Sequence, residues 1–531
     1  MKRYQLLALS LFSAVLLSLP WLGLMPGWIL LTAFIPLLIV GDQVLLKREK
    51  KKSIVFFGYA YLCFWMWNAL TTWWVMHATL VGIILVVFLN AAFMATVWWL
   101  YHLMKRYVNA ALSNMSLAAF WITFEYLHFN WDIEWPWLTL GNGFANHVKL
   151  IQWYEYTGVM GGTLWILATN LLIYQLYKIV VENRLNRLAG TVAPLVLLTV
   201  LPVIISVSAY NRHIEKGPVF EIVVLQPNID PYNEKFDRIS PEDQLESLLQ
   251  LADSFITPST GYVVGPETAL HPLWENERTI DHPFILPFHE RSVNHNNVKF
   301  VLGATTQILF YPEENKPETA RKLEHNNLYY DIYNSALQID QTRVVKSYHK
   351  SILVSGVEKM PFGKYFSFIE NLIIDLGGTT GSLGRQKEPT NLIATDGLKV
   401  APVICYESVF GAYVAKFIKK GAGLIFIITN DGWWKNTPGY RQHLSFARLR
   451  AIETRRSIAR SANTGISAFI NQRGDILQQT SWWVKTALRD RLHVNDELTF
   501  YVRNGDYIAR ISSFIATLLL LFLVVQTRLK K

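Results

Sequence analysis

Three short segments put a reactive side chain where an apolar run stops. In Val263-Val264-Gly265-Pro266-Glu267-Thr268 the run breaks at Gly-Pro and delivers a carboxylate, Glu267. Tyr348-His349-Lys350 ends in an amine and is followed by Gly356-Val357-Glu358-Lys359-Met360-Pro361-Phe362-Gly363. Ala401-Pro402-Val403-Ile404-Cys405-Tyr406-Glu407 ends in a thiol with a second carboxylate two residues on. Singly, each has an ordinary reading as a turn carboxylate, a surface lysine or a core cysteine. As a set they suit acyl chemistry. A thiol attacks as thiolate and so needs a base at neutral pH. A desolvated carboxyl can take that proton and later return it to a leaving group. A lysine and a backbone N–H can together stabilise an oxyanion. This chemistry needs neither metal nor cofactor, and the 13 histidines, without an HExxH pattern, read as ordinary surface or core residues.

These residues lie in the middle of the chain, about 217–503, where short β-rich runs recur: Phe220–Gln226, Tyr262–Gly265, Lys299–Gly303, Asn334–Ile339, Lys399–Ile404, Leu424–Thr429 and Ser467–Asn471. Pro241–Phe255 and Gln442–Thr454 carry apolar residues at helical spacing. Strands mixed with helices predict an α/β layered domain.

The rest of the 531-residue chain differs sharply. Half of all residues are hydrophobic and 17% charged, and the apolar excess sits in the first 210 positions and the last 25. Eight segments approach the roughly 20 apolar residues that cross a bilayer. They lie near 5–22, 26–46, 54–76, 79–103, 108–129, 155–177, 188–209 and 509–527. The first reads as a retained helix, since no small-residue cleavage site follows it. Cys63 falls within a span and Cys405 outside, which excludes a disulfide between them. The expected organisation is a transmembrane domain of seven spans over 1–210, a soluble domain over 217–503 and a final helix over 509–527.

The formal charge of +10 comes largely from short Lys/Arg blocks beside apolar segments, a topology signal and not a nucleic-acid groove. Lys2 and Arg3, Lys47 to Lys52, Lys105 and Arg106, Lys178 to Arg187, and Arg528 to Lys531 all fall on one side if all eight segments cross. Both termini are then expected in the cytoplasm and the soluble domain outside. Glu125, near the outer end of span five, reads as a paired or snorkelling carboxylate before a substrate contact. The loop Trp131-Asp132-Ile133-Glu134-Trp135-Pro136-Trp137 reads either as an aromatic belt or as a gate for a lipid substrate, with Trp137 a candidate contact.

Glu, then Lys, then Cys in an α/β domain is the order of the nitrilase superfamily. The sequence closely resembles one branch of it, the apolipoprotein N-acyltransferases, over essentially the whole chain. The resemblance is carried by the GPET, YHK, ICYE and NTGIS strings at 265–268, 348–350, 404–407 and 463–467. It continues in Asn430-Asp431-Gly432-Trp433-Trp434, Gln442-His443, Ala447-Arg448 and Arg450-Ala451-Ile452-Glu453. It implies a polytopic membrane protein carrying an αββα sandwich. It also implies Cys405 as nucleophile, Glu267 as general base and Lys350 as a stabiliser of the tetrahedral intermediate. Tyr406 and Glu407 match supporting positions, and Trp433 and Trp434 an aromatic pair near an acyl groove. The family's carboxylate directly after Pro-Phe-Gly is replaced here by Lys364, so Glu358 stands as its substitute. Phe236 stands where some members have a Trp.

The implied activity is transfer of a fatty acyl chain from a phospholipid, through a Cys405 thioester, to the amine of a diacylglyceryl-cysteine at the N-terminus of an apolipoprotein. The implied place is a bacterial inner membrane, with the soluble domain facing the periplasm. Membrane lipids are expected partners and nucleic acid is not. A membrane-tethered amidohydrolase, in which water replaces the amine, is the alternative enzyme. A transporter or lipid-binding protein with an inactive domain is the non-enzymatic one.

Overall fold

A computed structural model describes residues 1–46, 52–232, 238–276, 278–323, 326–360 and 382–529. Phe236, Lys364 and the basic residues Lys47, Arg48, Lys50, Lys51, Lys530 and Lys531 lie outside them. The chain forms two compact units, one of Met1–Met76, Leu80–Arg212 and Asn504–Lys531, the other of His77–Thr79 and His213–Arg503.

The first unit is helical. Among the described residues six helices are long and apolar enough to cross a membrane: Gly27–Leu46, Ser53–His77, Gly82–Tyr107, Tyr154–Val181, Leu185–Arg212 and Tyr507–Leu529. The other two expected spans are helices with weaker credentials. Arg3–Ser18 has 16 residues and stops just before Pro20, which cannot continue a helix. Ala110–His128 has 19 residues, but Ser113, Asn114, Ser116, Glu125 and His128 lower its hydropathy. Large apolar residues such as Leu197, Leu201, Ile204, Phe514, Leu518 and Leu521 point outward, as helices solvated by lipid require.

The buried carboxylates Glu125 and Asp42 of this unit are paired. Glu125 accepts from Trp121 Nε1 at 2.8 Å, the Leu140 N–H at 2.8 Å and Thr163 Oγ1 at 2.6 Å. Its bonding is thus that of a structural carboxylate. Asp42 is held by Lys105, by Lys178 at 3.1 Å and by the Tyr174 hydroxyl at 2.7 Å. Trp137 is fully buried, its ring 4.9 Å from Trp74 and stacked on Trp135 at 5.6 Å.

The second unit holds two sheets. Its strands are β1 Val219–Gln226, β2 Thr260–Val264, β3 Leu270–Trp274, β4 Lys299–Phe310, β5 Arg321–Lys322, β6 Tyr329–Ile339, β7 Lys346–His349, β8 Leu392–Ile393, β9 Lys399–Ile404, β10 Leu424–Thr429, β11 Ile458–Ala462, β12 Ala468–Ile470, β13 Ile476–Gln479 and β14 Thr486–His493. One sheet runs β14-β1-β2-β4-β6-β5, with β3 on β4 and β7 on β6; the other runs β13-β12-β11-β10-β9-β8. Strands β9, β10 and β11 are parallel, as are β1, β2 and β4. Burial on both faces explains the unbroken apolar runs of β9 and β10. Pro402 is tolerated in β9 because β8 pairs only with Lys399 and Val400, so that among the described residues no strand pairs with that edge beside it.

The sheets face each other. Tyr262 of β2 meets Phe426 of β10 at 5.2 Å, and Ser461 Oγ donates to the Leu225 carbonyl at 2.7 Å. Outside the first sheet, helices Pro241–Asp253 and Leu286–Asn294 cover a core that includes Val223, Leu225, Val263, Phe300 and Leu302. Helices Gly411–Lys419 and Pro438–Thr454 pack on the second. The layers are therefore αββα, as the resemblance implies. The loops that follow β2, β7, β9 and β10 meet at the C-terminal ends of these strands, the usual position of sites in parallel α/β sheets.

Candidate active site

Cys405 follows β9 directly and opens a turn of 3₁₀ helix, Cys405–Val409. Its φ of +48° lies in the left-handed region, which costs a residue with a Cβ about 1–2 kcal/mol. Buried side chains hold the turn in this conformation. Ser408 Oγ donates to the Cys405 carbonyl at 2.8 Å, and Arg450 donates to the Val409 carbonyl at 2.7 Å.

Glu267 leaves the end of β2 in a chain segment pressed against β4 at Gly303. A Cβ on Gly303 would sit 2.4 Å from the Pro266 carbonyl oxygen and 2.6 Å from Glu267 Cα, so only glycine lets the segment pass. Lys350 follows β7, its N–H bonded to the Asn334 carbonyl at 2.8 Å. Its ammonium lies 3.1 Å from Glu267 Oε1 and 2.9 Å from Glu358 Oε1. The Asn334 amide donates to the same two oxygens, at 2.7 and 3.0 Å. Glu358 is fixed in turn by the Val354 N–H at 2.8 Å. All of these groups, with Cys405, line one cavity of about 470 Å³ whose walls are mostly carbon, including Leu270, Ile332, Val354 and Trp434.

Burial would lower the Lys350 pKa, but Glu267, Glu358 and Cys405 raise it well above the ordinary lysine range, so the amine is a fixed cation. Burial pushes the Cys405 thiol up, and Glu267 adds to this; Lys350 offsets only part. At rest Cys405 is therefore a thiol, which must lose its proton before its sulfur can attack. Alkylation of Cys405 by iodoacetamide should accordingly rise roughly tenfold per pH unit from pH 6 to 9. A plateau below pH 8 would mean a preformed thiolate.

Glu407 does not reach the cavity but ties its walls together. It accepts from the Tyr348 hydroxyl at 2.6 Å, the Ser351 N–H at 2.7 Å and the Ile404 N–H at 2.8 Å, joining the Lys350 loop to the Cys405 turn. Burial pushes it up to about 7 even though these donors favour the anion. Tyr406 is buried against Phe410 at 5.2 Å. Trp433 and Trp434 line the cavity from the loop after β10. Tyr232 donates to the Trp433 carbonyl at 2.6 Å, and the two rings lie 5.4 Å apart. The site thus gathers Glu267, Lys350, Cys405, Glu358, Trp433 and Trp434, with Tyr406 and Glu407 beside it. Trp137 belongs to the other unit.

Sequence reasoning missed Asn334 and a buried group behind Cys405. Asp431 takes the Arg460 guanidinium at 2.7 Å and His443 Nδ1 at 3.0 Å. Burial alone would raise Asp431, but Arg460 and His443 hold it below the ordinary carboxylate range. A polar Arg in the middle of the short run Ile458–Ala462 is the signal that points to this pair, because a buried arginine demands a carboxylate.

The model of the apolipoprotein N-acyltransferase N-terminal domain matches residues 13–172, and the carbon-nitrogen hydrolase model matches residues 224–492. An apolipoprotein N-acyltransferase of Chlorobaculum tepidum is 28% identical over 513 residues, covering 94% of this chain and 92% of that protein. One of Thermotoga maritima is 27% identical over 536 residues, covering 96% and 92%. Residues of both units are thus matched by the same set of relatives, and the chain belongs to the carbon-nitrogen hydrolase family, in its membrane-embedded apolipoprotein N-acyltransferase branch.

Proposed function

We propose that this chain moves a fatty acyl group from a phospholipid to the N-terminal amine of a diacylglyceryl-modified apolipoprotein, through a thioester on Cys405. The observation that carries the reading is a buried thiol in one cavity with a carboxylate and a fixed ammonium, in a chain that also has six membrane-competent helices among its described residues. Lipid substrates reach an enzyme from the bilayer, whereas a soluble amide would need no such anchorage. This favours acyl transfer over the tethered amidohydrolase, as do the names of the relatives.

In the first half-reaction Glu267 takes the thiol proton as Cys405 sulfur attacks the ester carbonyl. The oxyanion is met by Lys350 Nζ and the Tyr406 N–H. Collapse breaks the ester C–O bond, and protonated Glu267 returns the proton to the leaving lysophospholipid alkoxide. In the second half-reaction the acceptor amine attacks the thioester, Glu267 takes an amine proton, and the thiolate leaves and regains it. Glu358 and Asn334 hold Lys350 and Glu267 in place; Trp433 and Trp434 shield the acyl chain from water. Two-substrate kinetics should be ping-pong, with parallel double-reciprocal lines. Intersecting lines would support a ternary complex and remove the covalent intermediate.

The one-sided Lys/Arg blocks support an inner-membrane protein with residues 217–503 in the periplasm. Cysteines introduced near 20–25 and 130–150 should be labelled from outside intact cells, and those near 104–107 and 183–187 only after permeabilisation. Outside labelling at 104–107 would reverse the topology.

A further inference from the structure

Behind the Cys405 turn lies a buried histidine that the mechanism above leaves without a task. His443, on the helix Pro438–Thr454, is fully buried. Its Nε2 lies 3.2 Å from the Cys405 carbonyl oxygen and 2.9 Å from Ser408 Oγ. Its Nδ1 faces Asp431 Oδ1 at 3.0 Å and Arg460 Nη2 at 3.0 Å. Ser408 gives its one hydrogen to the Cys405 carbonyl, so both oxygens facing Nε2 can only accept and this ring nitrogen carries a hydrogen, while Nδ1 is met by Asp431 and Arg460. The Cys405 carbonyl therefore receives two donors, Nε2–H of His443 and the hydroxyl of Ser408.

That carbonyl belongs to the peptide whose N–H is on Tyr406. In a trans peptide the C=O and N–H point in opposite directions, so fixing the carbonyl fixes the line along which the N–H points. Donors on the carbonyl also withdraw electron density and strengthen the N–H as a donor in a chain of hydrogen bonds. The peptide needs such help, because Cys405 holds a left-handed φ that a residue with a Cβ adopts only under constraint. Asp431 and Arg460 complete the device by holding the other ring nitrogen, Nδ1.

We propose that His443, seconded by Ser408, is a positioning residue that orients and polarises the Cys405–Tyr406 peptide, so that the Tyr406 N–H meets the oxyanion when the acyl carbonyl is attacked. This role rests on acyl transfer through Cys405 and adds the means by which the second oxyanion donor is prepared. It acts on the transition state and not on phospholipid binding.

The test compares two reactions of one sulfur. Acylation by phospholipid passes through an oxyanion; alkylation by iodoacetamide does not. His443→Phe keeps an aromatic ring but removes the donor, and His443→Gln restores an N–H near the same place. Rates are read by mass spectrometry of the Cys405 peptide, in detergent-solubilised full-length protein at pH 9. His443→Phe should acylate about 10²-fold more slowly than wild type, the scale of losing one oxyanion donor. Its KM for phospholipid and its alkylation rate should stay within about threefold. His443→Gln should recover at least tenfold, and Ser408→Ala, which removes one hydroxyl and leaves the Arg450 bond to the turn, should lose about tenfold in acylation alone. Acylation and alkylation falling together in Ser408→Ala and His443→Gln would make the network a mere scaffold and overturn the role. Unchanged acylation in His443→Phe would also overturn it while leaving the Cys405 thioester standing. A wild type that forms no thioester removes the covalent reading, and this role with it.

Discussion

Cys405→Ala should abolish acyl transfer, by roughly 10⁴-fold or more, while the protein stays folded and inserted. The scale is that of removing a nucleophile whose partners act only as a unit with it. Alanine keeps the Cβ, so the backbone penalty at φ +48° is unchanged and the buried turn keeps its bonds from Ser408 and Arg450. Cys405→Gly should be equally inactive but more stable than Cys405→Ala by about 1 kcal/mol, because glycine adopts the left-handed region without strain. Activity assays with thermal unfolding of the three proteins check both halves. Residual turnover in Cys405→Ala above a few per cent would place the nucleophile elsewhere. Equal stability of the two variants would show that the turn holds no strain.

The second large effect is at Lys350. Removing the ammonium leaves Glu267 and Glu358 buried around the Asn334 amide with no cation between them. Lys350→Met should therefore lose activity by at least 10²–10³-fold, the scale of one oxyanion donor. It should also lose up to about 3–5 kcal/mol of stability, the cost of breaking a buried pair from one side. The two losses have different causes and can be separated. Adding Glu358→Gln to Lys350→Met removes one unpaired carboxylate and should restore much of the stability without restoring activity. If the double variant recovers activity as well, Lys350 is a structural counter-ion and its place in the mechanism is lost. The sign of the Lys350 shift adds a control. A folded-state pKa above the unfolded value contributes stability that is full below about 10.4 and is lost as pH rises from there through the folded value. The pair should thus be insensitive to pH between 6 and 9.

How much of this was legible in the sequence depended on whether the local pattern and the tertiary demand agreed. Strands β9 and β10 are apolar throughout because both faces are buried, and their ends mark Cys405 and the Trp433–Trp434 loop. The same logic hid β11, Ile458–Ala462. Its central Arg460 and Ser461 read as surface, yet both are buried because Asp431 and the Leu225 carbonyl await them in space. Strand β14 was missed for the opposite reason: its exposed Arg489 and Arg491 alternate with the half-buried Asp490 on a sheet edge. Asn334 read only as the start of a strand. Nothing local says that its amide will meet Glu267, 67 residues away, and Glu358 together. Glu358 itself was singled out by its position near Pro361, and its 2.9 Å contact with Lys350 gives that choice a physical basis. In the helical unit, hydropathy found the six strong spans. It also nominated 5–22 and 108–129, where the helices Arg3–Ser18 and Ala110–His128 fall short of the others in length or carry more polar residues.

The measurement that tests the central claim most directly is peptide mass spectrometry of the purified full-length chain after incubation with a phospholipid of defined acyl chains and no acceptor. One acyl group should appear on Cys405, labile to neutral hydroxylamine, discharged on adding a diacylglyceryl-cysteine peptide, and absent from Cys405→Ser as a thioester. An acyl group found on Cys63, or none until donor and acceptor are both present, would contradict the account.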